Sequence, residues 1–231
     1  MLFRSGHYRR WIRSQRADAD ALLGAANAIP TPDYQLSRCQ QAWRTRCPEE
    51  LYPTTWVTQE TIGLMRAFHE AGKPFFIQCS YPDPHHPFTP PGKYWDMYSP
   101  ADFKMRLPYE AHKNPVPPMR IMREKFRDAS QNTQTQEAFM IKAEHLQEAI
   151  ALSCGMITMI DDAVGEIIKA LKANGQYENT VIVFNADHGD YLGDYGLLLK
   201  GALQLNSITQ DRKSTRLNSS HIPLSRMPSS A

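Results

Sequence analysis

Two short clusters carry the residue types that hydrolytic chemistry needs. In Asp187-His188-Gly189 a carboxylate and an imidazole stand side by side, followed by a glycine that permits a tight turn. Such a pair can share one metal ion, the aspartate as a hard oxygen donor and the histidine as a neutral nitrogen donor. In Asp83-Pro84-His85-His86-Pro87 the prolines stiffen the loop around two histidines. A histidine held in this way can protonate a leaving group or hold an anion. A third candidate is Lys200, between Leu197-Leu-Leu199 and Gly201, where partial loss of water would leave a point charge for an anionic group. Taken singly, each has an ordinary reading: a capped turn, a surface loop with incidental histidines, a solvated lysine.

What joins them is their place in the chain. Ile62, Met65, Phe68 and His69 recur at helical spacing, with Thr58 as the N-cap and Gly72 as the stop. Lys73-Pro74 then leads into Phe75–Ser80, an almost continuous apolar run of the kind expected for a strand buried on both faces. Residues 81–118 are rich in proline and read as an ordered functional loop. Residues from about 133 to 174 read as helix, broken near Gly155 and ended at Gly175, with Ile157, Ile160, Val164, Ile168 and Leu171 as its apolar stripe. Thr180–Ala186 is the second buried-strand pattern, dense in β-branched residues. This alternation predicts an α/β fold. Both clusters follow strands, and open α/β sheets bind ligands beyond the carboxyl ends of their strands.

The organisation expected is a poorly defined segment 1–57, a catalytic unit 58–209 and a tail 210–231. The tail is Ser/Arg-rich without apolar period, and is expected to be disordered or artefactual, similar to translated adapter sequence. It contributes +3 to the overall net charge of +2, leaving −1 for the rest, so no basic surface suits nucleic acid. No apolar run reaches the ~20 residues of a membrane span. The first residues hold no apolar core of signal-peptide length, which leaves localisation open. Cysteines 39, 47, 79 and 154 show neither a CxxC pair nor a regular spacing; they suit free thiols better than a zinc knuckle or disulfide scaffold, with a Cys39–Cys47 pair undecided.

Val183–Gly201 resembles the C-terminal metal-site motif of sulfatases in the alkaline phosphatase superfamily, and Phe75–Pro91 resembles the same family's middle motif. The likeness extends over roughly residues 50–205, with the motifs in the family's order. It implies a partial alkaline-phosphatase-like fold: a mostly parallel mixed sheet flanked by helices, with the N-terminal strands missing. It also implies a divalent cation, usually calcium, held by Asp187 and His188 with two further acidic ligands. Lys200 matches the lysine that contacts the sulfate group. His85, rather than His86, matches the histidine that assists departure of the alcohol, because Pro87 then falls in register. The family's formylglycine motif, Cys/Ser-x-Pro/Ala-x-Arg, matches none of the four cysteines, and Tyr195 stands where many relatives have histidine.

The expectation is therefore a sulfuric ester hydrolase acting on a small anionic sulfate ester, represented by an internal or C-terminal-half fragment that is inactive alone. The alternatives are a phosphonate monoester or phosphodiester hydrolase of the same superfamily, and a non-catalytic truncated chain.

Overall fold

The structure, a computed structural model, describes residues 6–31, 42–125, 139–201, 203 and 205–209. The expected tail 210–231 and Cys39 lie outside the described residues. Among the described residues there are five α-helices: α1 (His7–Gln15), α2 (Pro53–Glu70), α3 (Pro117–Lys125), α4 (Ala143–Ala173) and the single turn α5 (Asn206–Thr209). Among the described residues no helix is long and apolar enough to cross a membrane.

Helix α4 organises the molecule and packs against α2. It runs unbroken for 31 residues through Gly155, contrary to the expected break. A Cβ at Gly155 would collide with the Tyr94 carbonyl oxygen, so the glycine serves close packing between helix and loop rather than a bend. The buried face of α4 is Leu146, Ala149, Leu152 and Met156 in its first half, while Ile157 of the expected stripe is 49% exposed. This face gathers Phe88 and Trp95 from the proline-rich loop and Leu198 and Leu199 from the chain before Lys200. A second cluster joins α1 and α2 with Tyr94 and Met159, and a third joins Met119, Met140, Tyr191 and Leu197.

Helix α2 begins five residues before the expected N-cap, with Pro53 in its first turn, a position where the missing N–H costs nothing. Thr58 lies inside the helix and donates its hydroxyl to the Thr54 carbonyl at 2.8 Å. The buried stripe is Thr54, Thr58, Thr61 and Met65, more polar than the pattern that Ile62, Phe68 and His69 suggested. The reason is what it faces: Thr58 meets the Tyr81 hydroxyl at 3.1 Å, and Thr54 meets the Asp83 carboxylate.

The expected parallel sheet is not formed among the described residues. Their only sheet is a two-stranded antiparallel ladder between β1 (Phe139–Met140) and β2 (Leu197–Leu198). Residues 75–80 and 180–186 have no assigned strand, and Phe76, Val181 and Phe184 are 95%, 80% and 70% exposed. A ladder needs a partner for each N–H and C=O, and among the described residues neither run is paired into one.

The two glycines of α4 supply a direct check. Gly155→Ala is expected to destabilise the chain by about 1–3 kcal/mol through overpacking. Gly165→Ala, where nothing lies within 4 Å of the added carbon, is expected to gain up to ~1 kcal/mol of helix stability. Urea unfolding of the two variants beside the parent chain measures both; equal effects would remove the close-packing role of Gly155.

Candidate active site

The two clusters meet at one cavity of about 710 Å³. His85 and Asp83 line it from the proline-rich loop, and Asp187, His188, Asp190 and Lys200 line it from the C-terminal part. A separate cavity of about 480 Å³, lined from Ala25 to Thr31 and by Ala42 and Trp43, has no ionisable group among its lining residues.

Asp187 and His188 follow the extended run 180–186. The His188 backbone N–H donates to Asp187 Oδ1 at 2.8 Å, and His188 Nδ1 lies 2.8 Å from the Gly189 carbonyl oxygen. A carbonyl only accepts, so Nδ1 carries a proton, and in the neutral ring Nε2 is the nitrogen with the lone pair. That Nε2 is 3.5 Å from Asp187 Oδ2, which brings the two donor atoms of the pair together. Gly189 fixes the turn from the other side. Its N–H donates to the Ile208 carbonyl at 2.9 Å, and a Cβ there would collide with the Ser207 carbonyl oxygen.

Lys200 reaches the site through a hairpin. The Tyr191 N–H donates to the Leu199 carbonyl at 2.9 Å and the Gly193 N–H to the Leu197 carbonyl at 2.7 Å. This register sets Asp190 beside Lys200. Burial lowers the lysine's proton affinity, and the charges of Asp190 and Asp187 raise it. Burial pushes the Asp190 carboxyl up to about 6, against the Leu192 N–H that donates to it at 3.0 Å and the nearby Lys200 and His188. Leu192, Tyr195 and Leu199 have φ of +41°, +56° and +66°, so the hairpin is held in backbone that side chains rarely adopt.

On the facing loop, His85 Nδ1 is hydrogen-bonded to the His86 carbonyl, which again assigns the proton to Nδ1. His86 is buried, and the two rings stack with centroids 4.2 Å apart. His85 is the exposed member of the pair and the one that lines the cavity.

Asp102, Lys104 and Arg106 line the cavity and escaped sequence reasoning as candidates, while Asp190 counted there only as negative charge near the Asp-His pair. The available signal for the two cations was their alternation around Met105, which packs toward the core. For Asp190 it was the turn-forming Gly193-Asp-Tyr-Gly196, which folds residue 200 back onto residue 190.

The arrangement can hold an anion between Lys200 and a cation, with an imidazole opposite. As a donor set for a hard divalent ion, Asp187 and His188 fit in type and in convergence, and supply two ligands. Among the described residues no group of three or more metal-ligating side chains occurs.

The architecture is that of an alkaline-phosphatase-like hydrolase. It is similar to the phosphonate monoester hydrolase of Agrobacterium radiobacter, with a TM-score of 0.62 and 22% identity over 87% of this chain and 39% of that one. It is also similar to the phosphonate monoester hydrolase of Silicibacter pomeroyi, with a TM-score of 0.59 and 25% identity over 84% of this chain and 38% of that one. The sulfatase family model matches residues 7–220, and the chain belongs to the sulfatase family. It is 34% identical to an arylsulfatase of Clostridium perfringens over 66% of this chain and 30% of that protein. It is 32% identical to the multifunctional alkaline phosphatase superfamily protein PehA of Trinickia caryophylli, over 68% of this chain and 31% of that protein. The chain thus spans about 30% of the length of these curated relatives.

Asp83 makes a prediction of its own. Burial pushes its carboxyl up to about 6, against the hydroxyls of Thr54 and Tyr52. The folded value lies above the ~3.9 of an unfolded aspartate, so the folded state holds the proton more tightly. The stability this supplies is complete below about pH 4 and is lost as pH rises through about 6. Asp83→Asn is therefore expected to raise the melting temperature at pH 7.5 and to leave it nearly unchanged at pH 4. An equal change at both pH values would contradict the burial of this carboxyl.

Proposed function

We propose that the protein carrying this chain hydrolyses sulfate esters, with Asp187 and His188 as two ligands of a divalent cation, calcium. Lys200 binds the sulfuryl oxygens and His85 protonates the departing alcohol oxygen. The observation that carries the reading is the sharing of one cavity by all four side chains, which come from sequence segments more than a hundred residues apart.

The cation, when bound, would act as a Lewis acid toward the anionic ester. The chain's own residues do the rest. Partial burial keeps Lys200 from being fully solvated, so its charge acts on the anion with less screening, while the charges of Asp190 and Asp187 oppose the fall in its proton affinity that burial causes. Interactions of this kind accelerate hydrolysis to the extent that they strengthen as charge moves onto the oxygens. His85, with Nδ1 committed to the His86 carbonyl, has Nε2 left for the leaving oxygen. It must bind a proton there before it can deliver one. The nucleophilic step is assigned to none of this chain's residues. The same charges suit a phosphonate monoester or phosphodiester, and substrate comparison separates the two anion classes.

The test uses the full-length enzyme with 4-nitrophenyl sulfate beside 4-nitrophenyl phenylphosphonate. The sulfate ester is expected to be turned over faster, with activity lost in chelator and restored by calcium. Lys200→Ala is expected to lower kcat/KM by about 10²–10³-fold, the range for removing one donor to a developing oxyanion. Asp187→Ala is expected to abolish the calcium response. Calcium-independent turnover in Asp187→Ala would overturn the metal assignment, and faster phosphonate hydrolysis would overturn the substrate class.

A further inference from the structure

His85 sits on a turn rather than on a regular element, so its imidazole is only as well placed as the turn itself. The turn closes when the His85 N–H donates to the Pro82 carbonyl at 3.1 Å. Asp83 is its second residue, and the Asp83 side chain leaves the loop to reach the start of α2. The Thr54 hydroxyl donates to Oδ2 at 2.8 Å, and the Tyr52 hydroxyl to Oδ1 at a longer 3.5 Å. The Tyr52 hydroxyl also meets that of Thr89 at 3.2 Å. One tyrosine therefore touches the loop on both sides of His85. Its partners are no looser than it is: Thr54, Tyr52 and Thr89 are all buried.

Asp83 is half-buried, and drawing a carboxylate partly out of water is costly without a cation beside it. Asp83 forms no ion pair among the described residues, and only hydroxyls meet its oxygens. We infer that Asp83 is a positioning residue for His85: it ties the Pro82–His85 turn to the first turn of α2 and so sets where the imidazole meets the leaving oxygen. This rests on the reading of His85 as the group that protonates the alcohol.

Leaving-group dependence tests it, because protonation matters most when the departing alcohol is a poor leaving group. In the full-length enzyme, Asp83→Ala is expected to lower kcat for an alkyl sulfate by about 10²-fold, the low end for lost acid catalysis. For 4-nitrophenyl sulfate the loss should be about threefold or less, since nitrophenolate departs without a proton. Asp83→Asn, whose amide can still meet both hydroxyls, is expected to recover most of the alkyl-ester activity. Added to His85→Ala, Asp83→Ala should cost little more, since two residues acting as a unit are not additive.

Equal losses on the two esters, or full additivity with His85→Ala, would overturn the inference and leave Asp83 as ordinary packing. Should Asp83→Ala fail to fold, Thr54→Val removes the 2.8 Å hydrogen bond and carries the same prediction. If His85→Ala itself slowed both esters equally, the assignment of His85 would fail, and the role of Asp83 with it.

Discussion

The N-terminal half of α4 holds two otherwise unconnected stretches of chain in one place. Leu146, Ala149, Leu152 and Met156 form a continuous apolar surface. Phe88, three residues after His85, packs into it, and so do Leu198 and Leu199, just before Lys200. Neither stretch has regular structure of any length to fix it: one is a proline-rich loop and the other a hairpin with a two-residue ladder. Their mutual position is therefore set by burial of large side chains against the helix, each worth about 1.5–3 kcal/mol of transfer energy. The close approach of Tyr94 at Gly155 adds a steric reference on the same helix, one turn beyond Leu152.

That packing makes the electrostatics of the cavity possible. Lys200 is drawn partly out of water by its three buried leucine predecessors, and the hairpin register sets Asp190 beside it. Each opposes the cost of burying the other, which is why burial shifts both and neither shift goes unopposed. The positive φ angles at Leu192, Tyr195 and Leu199 are the cost of this arrangement, of order 1–3 kcal/mol each where no glycine relieves it. Side chains at those positions serve the packing: Leu199 is fully buried, and the Tyr195 ring meets that of His112 in a tilted contact with centroids 4.8 Å apart.

The composition of the chemical clusters was readable because it is local. Asp187-His188-Gly189 and His85 could be singled out from residue type and punctuation alone. The helical character of α4 was equally plain, since a long apolar period needs no partner to be recognised. The sheet was not. Phe75–Ser80 and Thr180–Ala186 have strand composition, but a ladder depends on a neighbour that local sequence does not name. The start of α2 was missed because Thr58 is a good N-cap type, whereas Pro53 in the first turn was the stronger signal. Its threonine stripe could not be read locally, because the partner it faces, Asp83, lies 29 residues away. The place of Asp190 beside Lys200 was hidden for the same reason: it comes from a hairpin register.

The central claim is that Asp187, His188, Lys200 and His85 act on one anion at one cavity. The most direct measurement is a crystal structure of the full-length protein with calcium and an unreactive sulfate-ester analogue, with the ion located by anomalous scattering. The account predicts calcium on the Asp187 carboxylate and His188 Nε2. It also predicts the anion's oxygens within hydrogen-bond reach of Lys200 Nζ and the alcohol oxygen facing His85. Calcium bound away from Asp187, or an anion that meets neither Lys200 nor His85, would contradict it.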